Sequence, residues 1–87
     1  MIYCVEDDNG IRDLMTYTLA VSGYEAKGFP DSTGLWEALH TVRPELIMLD
    51  IMLPGEDGIT ILKKLRESSA TADIPVIMAT AKGTEYD

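Results

Sequence analysis

Acidic side chains end two apolar segments of this sequence, at positions where a charged ligand could be held. Residues 46–49 are a continuous apolar run that predicts a strand buried on both faces, and Asp50 follows it directly. Residues 1–5 are a second apolar run, and Glu6, Asp7 and Asp8 follow that one. Ligands of open parallel α/β sheets gather at the carboxyl ends of the strands. We therefore expect these carboxylates to face each other at one edge of a sheet.

Carboxylates held that close repel each other unless a cation or shared protons neutralise them. Hard oxygen ligands at this density suit Mg²⁺ better than zinc or copper. Each acidic feature taken alone also has a simpler interpretation. Asp50 could be a turn carboxylate, and the three acids after the first strand could cap a helix and interact with its dipole.

The elements that would position these acids alternate between strands and helices. Helical spacing of apolar residues predicts helices that start near Asn9, Ser32 and Asp57, with further strands over residues 24–28 and 74–79. The order βαβαβαβ predicts a parallel sheet with right-handed crossovers and helices on both faces. The residues expected to face the core are Ile11, Leu14, Met15, Leu19, Leu35, Leu39, Val42, Ile59, Leu62 and Leu65, with Cys4, Tyr17, Tyr24 and Trp36 as further packing residues.

Composition excludes several classes of function. The chain has 87 residues, the length of one domain, and 46% of them are apolar. A net charge of −8 disfavours direct contact with nucleic acid or an anionic membrane. A single cysteine excludes an internal disulfide, and no apolar segment is long enough to suggest a membrane span or signal peptide. We expect a cytoplasmic protein.

Four motifs together carry a family resemblance. They are the pair Glu6-Asp7 after the first strand, Asp50 after the third, the L-P-G-x-x-G loop at residues 53–58, and Thr80-Ala81 after the fourth. With these motifs the chain resembles a response-regulator receiver domain of two-component signalling. The resemblance implies a doubly wound, flavodoxin-like α/β fold with strand order 2-1-3-4. It ends at Asp87, before the family's last helix, strand and helix, so we expect residues 1–87 to form a single, C-terminally truncated receiver domain without strand five.

The resemblance also implies a role for each site residue. Asp50 is the expected phosphoacceptor, and Thr80 the switch residue whose hydroxyl hydrogen-bonds the phosphoryl group. Glu6, Asp7, Asp50 and the backbone carbonyl of Met52 are the expected Mg²⁺ ligands. A histidine kinase would be the phosphodonor, and a DNA-binding, transcriptional output domain outside this chain would respond to the change. No enzymatic activity is expected beyond the domain's own phosphorylation and dephosphorylation.

Three other functions are alternatives to this one. An aspartate-nucleophile phosphatase would have a second aspartate at the position of Met52, and a flavodoxin-like cofactor binder would have Gly, Ser or Thr after the first strand. A receiver-like interaction module, not phosphorylated because the family's strand-five lysine is absent, is the closest alternative. We also expect strand four to present an unpaired outer edge through which copies of the chain self-associate.

Overall fold

The computed structural model describes residues 1–79, which form a four-stranded parallel sheet and three helices. The sheet order is β2-β1-β3-β4, as expected, with α1 on one face and α2 and α3 on the other. The fold is therefore the doubly wound α/β arrangement of the receiver type. The elements are β1 (Ile2–Val5), α1 (Asn9–Val21), β2 (Ala26–Phe29), α2 (Ser32–Leu39), β3 (Leu46–Asp50), α3 (Gly58–Glu67) and β4 (Val76–Ala79).

The two central strands are the most apolar and the most buried. Every residue of β1 is buried, and β3 alternates between fully and partly buried positions before it ends on a buried Asp50. In the register of the two strands, Val5 lies opposite Leu49. The residues that follow them, Glu6 and Asp50, therefore leave the sheet side by side.

Each helix begins at an aspartate that caps it. The side chains of Asp8, Asp31 and Asp57 accept hydrogen bonds from backbone N–H groups in the first turns of α1, α2 and α3. These caps satisfy donors that have no partner within the helix, and the negative charge complements the helix dipole. The helix starts expected from the sequence are confirmed to within one residue.

The main hydrophobic core lies between the sheet and helices α2 and α3. Tyr3 packs edge-on against Phe29, with ring centroids 5.3 Å apart, and its hydroxyl donates to the carbonyl of Val42 at 2.8 Å. This bond satisfies a buried hydroxyl and a carbonyl just beyond the end of α2. The core residues are Tyr3, Val5, Phe29, Leu35, Ile47, Leu49, Leu53, Ile61, Leu65 and Ile74.

Within residues 1–79, the opposite face is covered only by α1, and the cover is partial. No residue of α1 is fully buried, and Leu14 is 62% exposed. A groove of about 260 Å³ remains between the helix and Met48 of β3. No helix among residues 1–79 is long and apolar enough to cross a membrane.

Several side chains expected in the core lie elsewhere. Ile59 is exposed because the buried stripe of α3 runs through Gly58, Ile61 and Leu65 instead. Val42 is exposed because α2 ends at Leu39. Tyr17 and Tyr24, expected as packing residues, are 67% and 51% exposed.

Candidate functional site

Asp50 is held at the carboxyl end of β3 with little freedom. The residue is 5% exposed, and its Oδ1 atom accepts a hydrogen bond from the backbone N–H of Met52 at 3.1 Å. The backbone N–H of Ile51 donates to the carbonyl of Ala79 at 2.8 Å, which fixes the start of the following loop to β4. A buried strand thus delivers one oriented carboxylate to the edge of the sheet.

Glu6 and Asp7 reach the same place from the end of β1. The backbone N–H of Glu6 donates to the carbonyl of Phe29 at 2.9 Å, so strand pairing continues up to the acid. The Glu6 side chain is buried, and its Oε2 atom accepts a hydrogen bond from the N–H of Asp8 at 3.1 Å. Asp7 is exposed to solvent. The sequence placed these acids at the correct edge of the sheet.

The three acids Glu6, Asp7 and Asp50 form one cluster. Each offers a carboxylate oxygen, and these oxygens lie within 4.8 Å of one another. Burial raises the pKa of Glu6, and the negative charges of Asp50 and Asp7 raise it further, although the N–H of Asp8 opposes the shift. None of the ion pairs formed within residues 1–79 neutralises the cluster. The cluster thus fits a small divalent cation, which would relieve the repulsion and take hard oxygen ligands.

Arg12 lies close to the cluster but binds its backbone. Its guanidinium donates to the carbonyl of Glu6 at 2.7 Å and also to the side chain of Asn9. These bonds join the first turn of α1 to the end of β1. The arginine therefore helps to place the acids and leaves their carboxylates available for a ligand.

The loop over residues 51–57 forms the other wall of the site. It passes through Gly55 at a φ of 71°, a conformation that favours glycine. It ends where the N–H of Gly58 donates to the carbonyl of Ile51 at 3.0 Å. A Cβ atom at Gly58 would collide with the carbonyl oxygen of Asp50. The glycines of the L-P-G-x-x-G motif thus allow α3 to start directly against the end of β3.

An open cleft of about 530 Å³ lies between this loop and Asp7. Asp57 and Met52 also line it, and the Met52 side chain is 71% exposed. Hydrogen bonds from Thr60 lower the pKa of Asp57, which acts as the cap of α3. The cleft leaves Asp7 and the start of the loop after Asp50 open to a ligand from solvent.

Glu56 is a further residue of this loop, and no pattern in the sequence pointed to it. Its carboxylate accepts a hydrogen bond from the indole N–H of Trp36 at 2.9 Å and forms an ion pair with Lys64. Hydrogen bonds from Lys64 and Ser32 lower its pKa. The three partners lie 24, 20 and 8 positions away in the chain, so no local spacing rule could have found the contact. Thr80 lies outside the described residues.

Comparison with known proteins gives a consistent picture. The family model described as "Response regulator receiver domain" matches residues 2–87. The chain is 41% identical over 86 residues to the "DNA-binding dual master transcriptional regulator RpaA" of a Synechocystis strain. It has the same identity, over the same number of residues, to the "Phosphate regulon transcriptional regulatory protein PhoB" of Escherichia coli. Each match covers 99% of this chain but only 36% and 38% of the relatives, so the chain spans little more than a third of their length.

Solved structures agree with the sequence relatives. The N-terminal domain of a response regulator receiver protein from Methanoculleus marisnigri superposes with a TM-score of 0.87 at 36% identity, over 92% of this chain and 65% of that one. The chemotaxis protein CheY4 of Vibrio cholerae gives a TM-score of 0.88 at 27% identity, over 99% of this chain and 69% of that one. Likeness in both sequence and structure therefore extends over nearly the whole chain.

Proposed function

The chain belongs to the response regulator receiver domain family, and on that basis we propose that it is a phosphoacceptor whose Asp50 takes a phosphoryl group from a histidine kinase. The observation that carries the proposal is the cluster of Glu6, Asp7 and Asp50, whose carboxylate oxygens lie within 4.8 Å of one another. Transfer of a phosphoryl group requires a nucleophile beside a site that stabilises charge, and here the buried Asp50 lies in an acidic cluster whose Asp7 borders an open cleft.

Glu6, Asp7 and Asp50, together with the backbone carbonyl of Met52, would hold Mg²⁺. When bound, the ion would neutralise the cluster and stabilise negative charge on the transferred group. Asp50 supplies the nucleophile. Because its Oδ1 atom already accepts a hydrogen bond from Met52, we assign Oδ2 as the attacking oxygen.

The transfer itself exchanges one bond for another. The Oδ2–P bond forms in line with the bond that breaks, which is the P–N bond of a phosphohistidine or the P–O bond of acetyl phosphate. The leaving atom keeps the electron pair of the broken bond. Thr80 would then donate a hydrogen bond from its hydroxyl to a phosphoryl oxygen and report the modification to the rest of the domain.

The partners follow from the family and from the named relatives. Both RpaA and PhoB are named as transcriptional regulators, and the chain matches little more than a third of each. The name of RpaA describes that protein as DNA-binding. We propose that an output domain outside residues 1–87 likewise binds DNA and responds to phosphorylation of Asp50 in the cytoplasm. The net charge of −8 on residues 1–87 argues that the receiver domain does not itself contact DNA.

Self-association through β4 is a further part of the proposal. Among residues 1–79, β4 pairs with β3 on one side only, and Ile77 is 48% exposed. An edge of this kind can pair with the edge of a second copy.

Phosphorylation of Asp50 is tested by incubating the protein with acetyl phosphate and Mg²⁺ and measuring its intact mass. We expect one phosphoryl adduct on the wild type and none on Asp50→Asn. Asp7→Asn should weaken Mg²⁺ binding and slow the labelling by roughly a hundredfold, the scale on which loss of one electrostatic contact acts. Asp57→Asn is the matched control, because it changes an exposed carboxylate that lines the same cleft and should keep the helix cap.

Labelling that persists in Asp50→Asn would refute the assignment. A wild-type protein that binds Mg²⁺ but never gains the adduct would instead favour the receiver-like interaction module. The exposed apolar residues of α1 are the observation that supports that second candidate.

A further inference from the structure

Glu56 joins the loop beside the candidate site to two helices at once. Its Oε1 atom accepts the indole N–H of Trp36, on α2, at 2.9 Å, and its Oε2 atom pairs with Lys64, on α3. Ser32, at the first position of α2, is buried and also lowers the pKa of this carboxylate. The side chain of Glu56 is 16% exposed, unlike the other carboxylates in ion pairs of the described chain, which are 65% and 80% exposed.

Apart from Leu53, whose side chain is buried in the hydrophobic core, the rest of the loop is held at its ends. The backbone N–H groups of Ile51 and Met52 anchor its start, and the N–H of Gly58 closes it against Ile51. Between these points lie Pro54 and Gly55, both exposed, and Gly55 has a positive φ of 71°. Glu56 is the one side chain of this middle part with hydrogen bonds to both helices of the packed face.

We propose that Glu56 is a positioning residue that holds the 51–57 loop in the geometry the site needs. The inference rests on the proposed function, in which the carbonyl of Met52 is a Mg²⁺ ligand. With its middle fixed to α2 and α3, the loop presents that carbonyl and the cleft wall in one arrangement. Removal of residues that orient metal ligands without binding the metal typically lowers metal affinity by about 10-fold to 100-fold.

The arrangement also makes Trp36 a reporter of the site. The indole N–H donates to Glu56, which is a residue of the loop. A ligand that shifts the loop therefore changes the environment of the single tryptophan of the chain. Trp36 itself lines a groove, together with Leu39, His40 and Lys64. Movement of the loop would therefore reach a groove that none of the three clustered acids lines.

The test compares wild type with Glu56→Ala, Glu56→Gln and Lys64→Met. Calorimetric titration gives the Mg²⁺ affinity, and hydrogen exchange of the amides of residues 52–57 in metal-free protein reports order of the loop. Glu56→Ala should weaken Mg²⁺ binding by about 10-fold and speed exchange in the loop. Glu56→Gln keeps an acceptor for the indole and loses the charge opposite Lys64. Its Mg²⁺ affinity and loop exchange rate should therefore lie between those of Glu56→Ala and wild type, close to those of Lys64→Met.

Asp73→Asn is the matched control, because it removes an ion pair with Arg43 that lies outside the loop. Urea unfolding of each variant separates loss of overall stability from an effect on the loop. The inference is overturned if Glu56→Ala is folded and leaves both Mg²⁺ affinity and loop exchange within twofold of wild type, or if Asp73→Asn changes them as much.

The two proposals fail in different ways. If wild type binds no Mg²⁺, the proposed function fails, and exchange of the metal-free loop then decides the role of Glu56. Faster exchange in Glu56→Ala alone would support a positioning role, and unchanged exchange would refute it.

Discussion

On one face of the sheet, α2 and α3 cover a continuous core in which Leu35, Ile61 and Leu65 are fully buried. On the other face, α1 lies mainly over β1 and β2, and its apolar residues stay partly in solvent. Met48 of β3 lines an open groove there, and Ile77 of β4 is 48% exposed. The two faces have similar apolar side chains but differ in how much of the sheet their helices cover.

This difference bears on the candidate site, which lies at the edge shared by both faces. The 51–57 loop is supported from the packed face through Glu56 and the start of α3. Glu6 and Asp7 are supported from the other face by hydrogen bonds at the start of α1. The site therefore depends on the first turn of α1 rather than on the burial of its apolar residues.

The largest effect should come from matched leucines on the two faces. Leu65 of α3 is 0% exposed and Leu14 of α1 is 62% exposed. Truncating a buried leucine removes its transfer energy and leaves a cavity, so Leu65→Ala should lower the free energy of unfolding by about 2–5 kcal/mol. Leu14→Ala should change it by less than about 0.5 kcal/mol. Urea unfolding followed by circular dichroism measures both, and equal losses would show that α1 is as well packed as α3.

A second test concerns the close approach where the packed face meets the site. A Cβ atom at Gly58 would collide with the carbonyl of Asp50 and lie 2.9 Å from the Cα atom of Ile51. Gly58→Ala should therefore destabilise the protein by about 1–3 kcal/mol, the usual range for overpacking. Gly10→Ala on α1 is the control, because the nearest atom to its Cβ would be a side-chain oxygen of Asp8 at 3.3 Å. Similar melting temperatures for the two variants would contradict the steric role of Gly58.

The sequence was sufficient to predict the order of the elements, the sheet order and the edge at which the acids meet. Those features depend on local patterns, such as the apolar runs that end at Val5 and Leu49. The burial of each side chain was harder to predict, because it depends on which helix covers which strand. Ile59 and Val42 were expected inside for this reason, and Glu56 was missed because its partners are distant in the chain.

Removing a charge from the acidic edge should stabilise the protein in the absence of divalent cations. Burial and the neighbouring acids raise the pKa of Glu6, so folding penalises its charged form. Stability should then fall as the pH rises from the ordinary glutamate range through the raised pKa, because the folded state binds more protons there than the unfolded state. Glu6→Gln should raise the free energy of unfolding at neutral pH by roughly 0.5–2 kcal/mol and flatten that slope.

Glu37→Gln is the control for this measurement, since Glu37 is exposed on α2. Urea unfolding at several pH values in a chelating buffer provides the data. A Glu6→Gln variant that is less stable than wild type at neutral pH would mean that the glutamate contributes more through its hydrogen bond with Asp8 than it costs through repulsion.

The smallest change in stability is expected on β4, where neighbouring residues face opposite ways. Val76 packs against the core and lies opposite Ile47, whereas Ile77 lies opposite Met48 on the open face. Ile77→Thr keeps a β-branched side chain and removes exposed apolar surface, so stability should change by less than about 0.5 kcal/mol. Val76→Thr places a hydroxyl against the core and should lower the free energy of unfolding by more, about 1–3 kcal/mol.

If association of copies through β4 uses the open face as well as the strand edge, light scattering should show Ile77→Thr shifted toward the monomer. Unchanged association would restrict the contact to backbone pairing at the strand edge, and a monomeric wild type would remove the self-association proposal altogether.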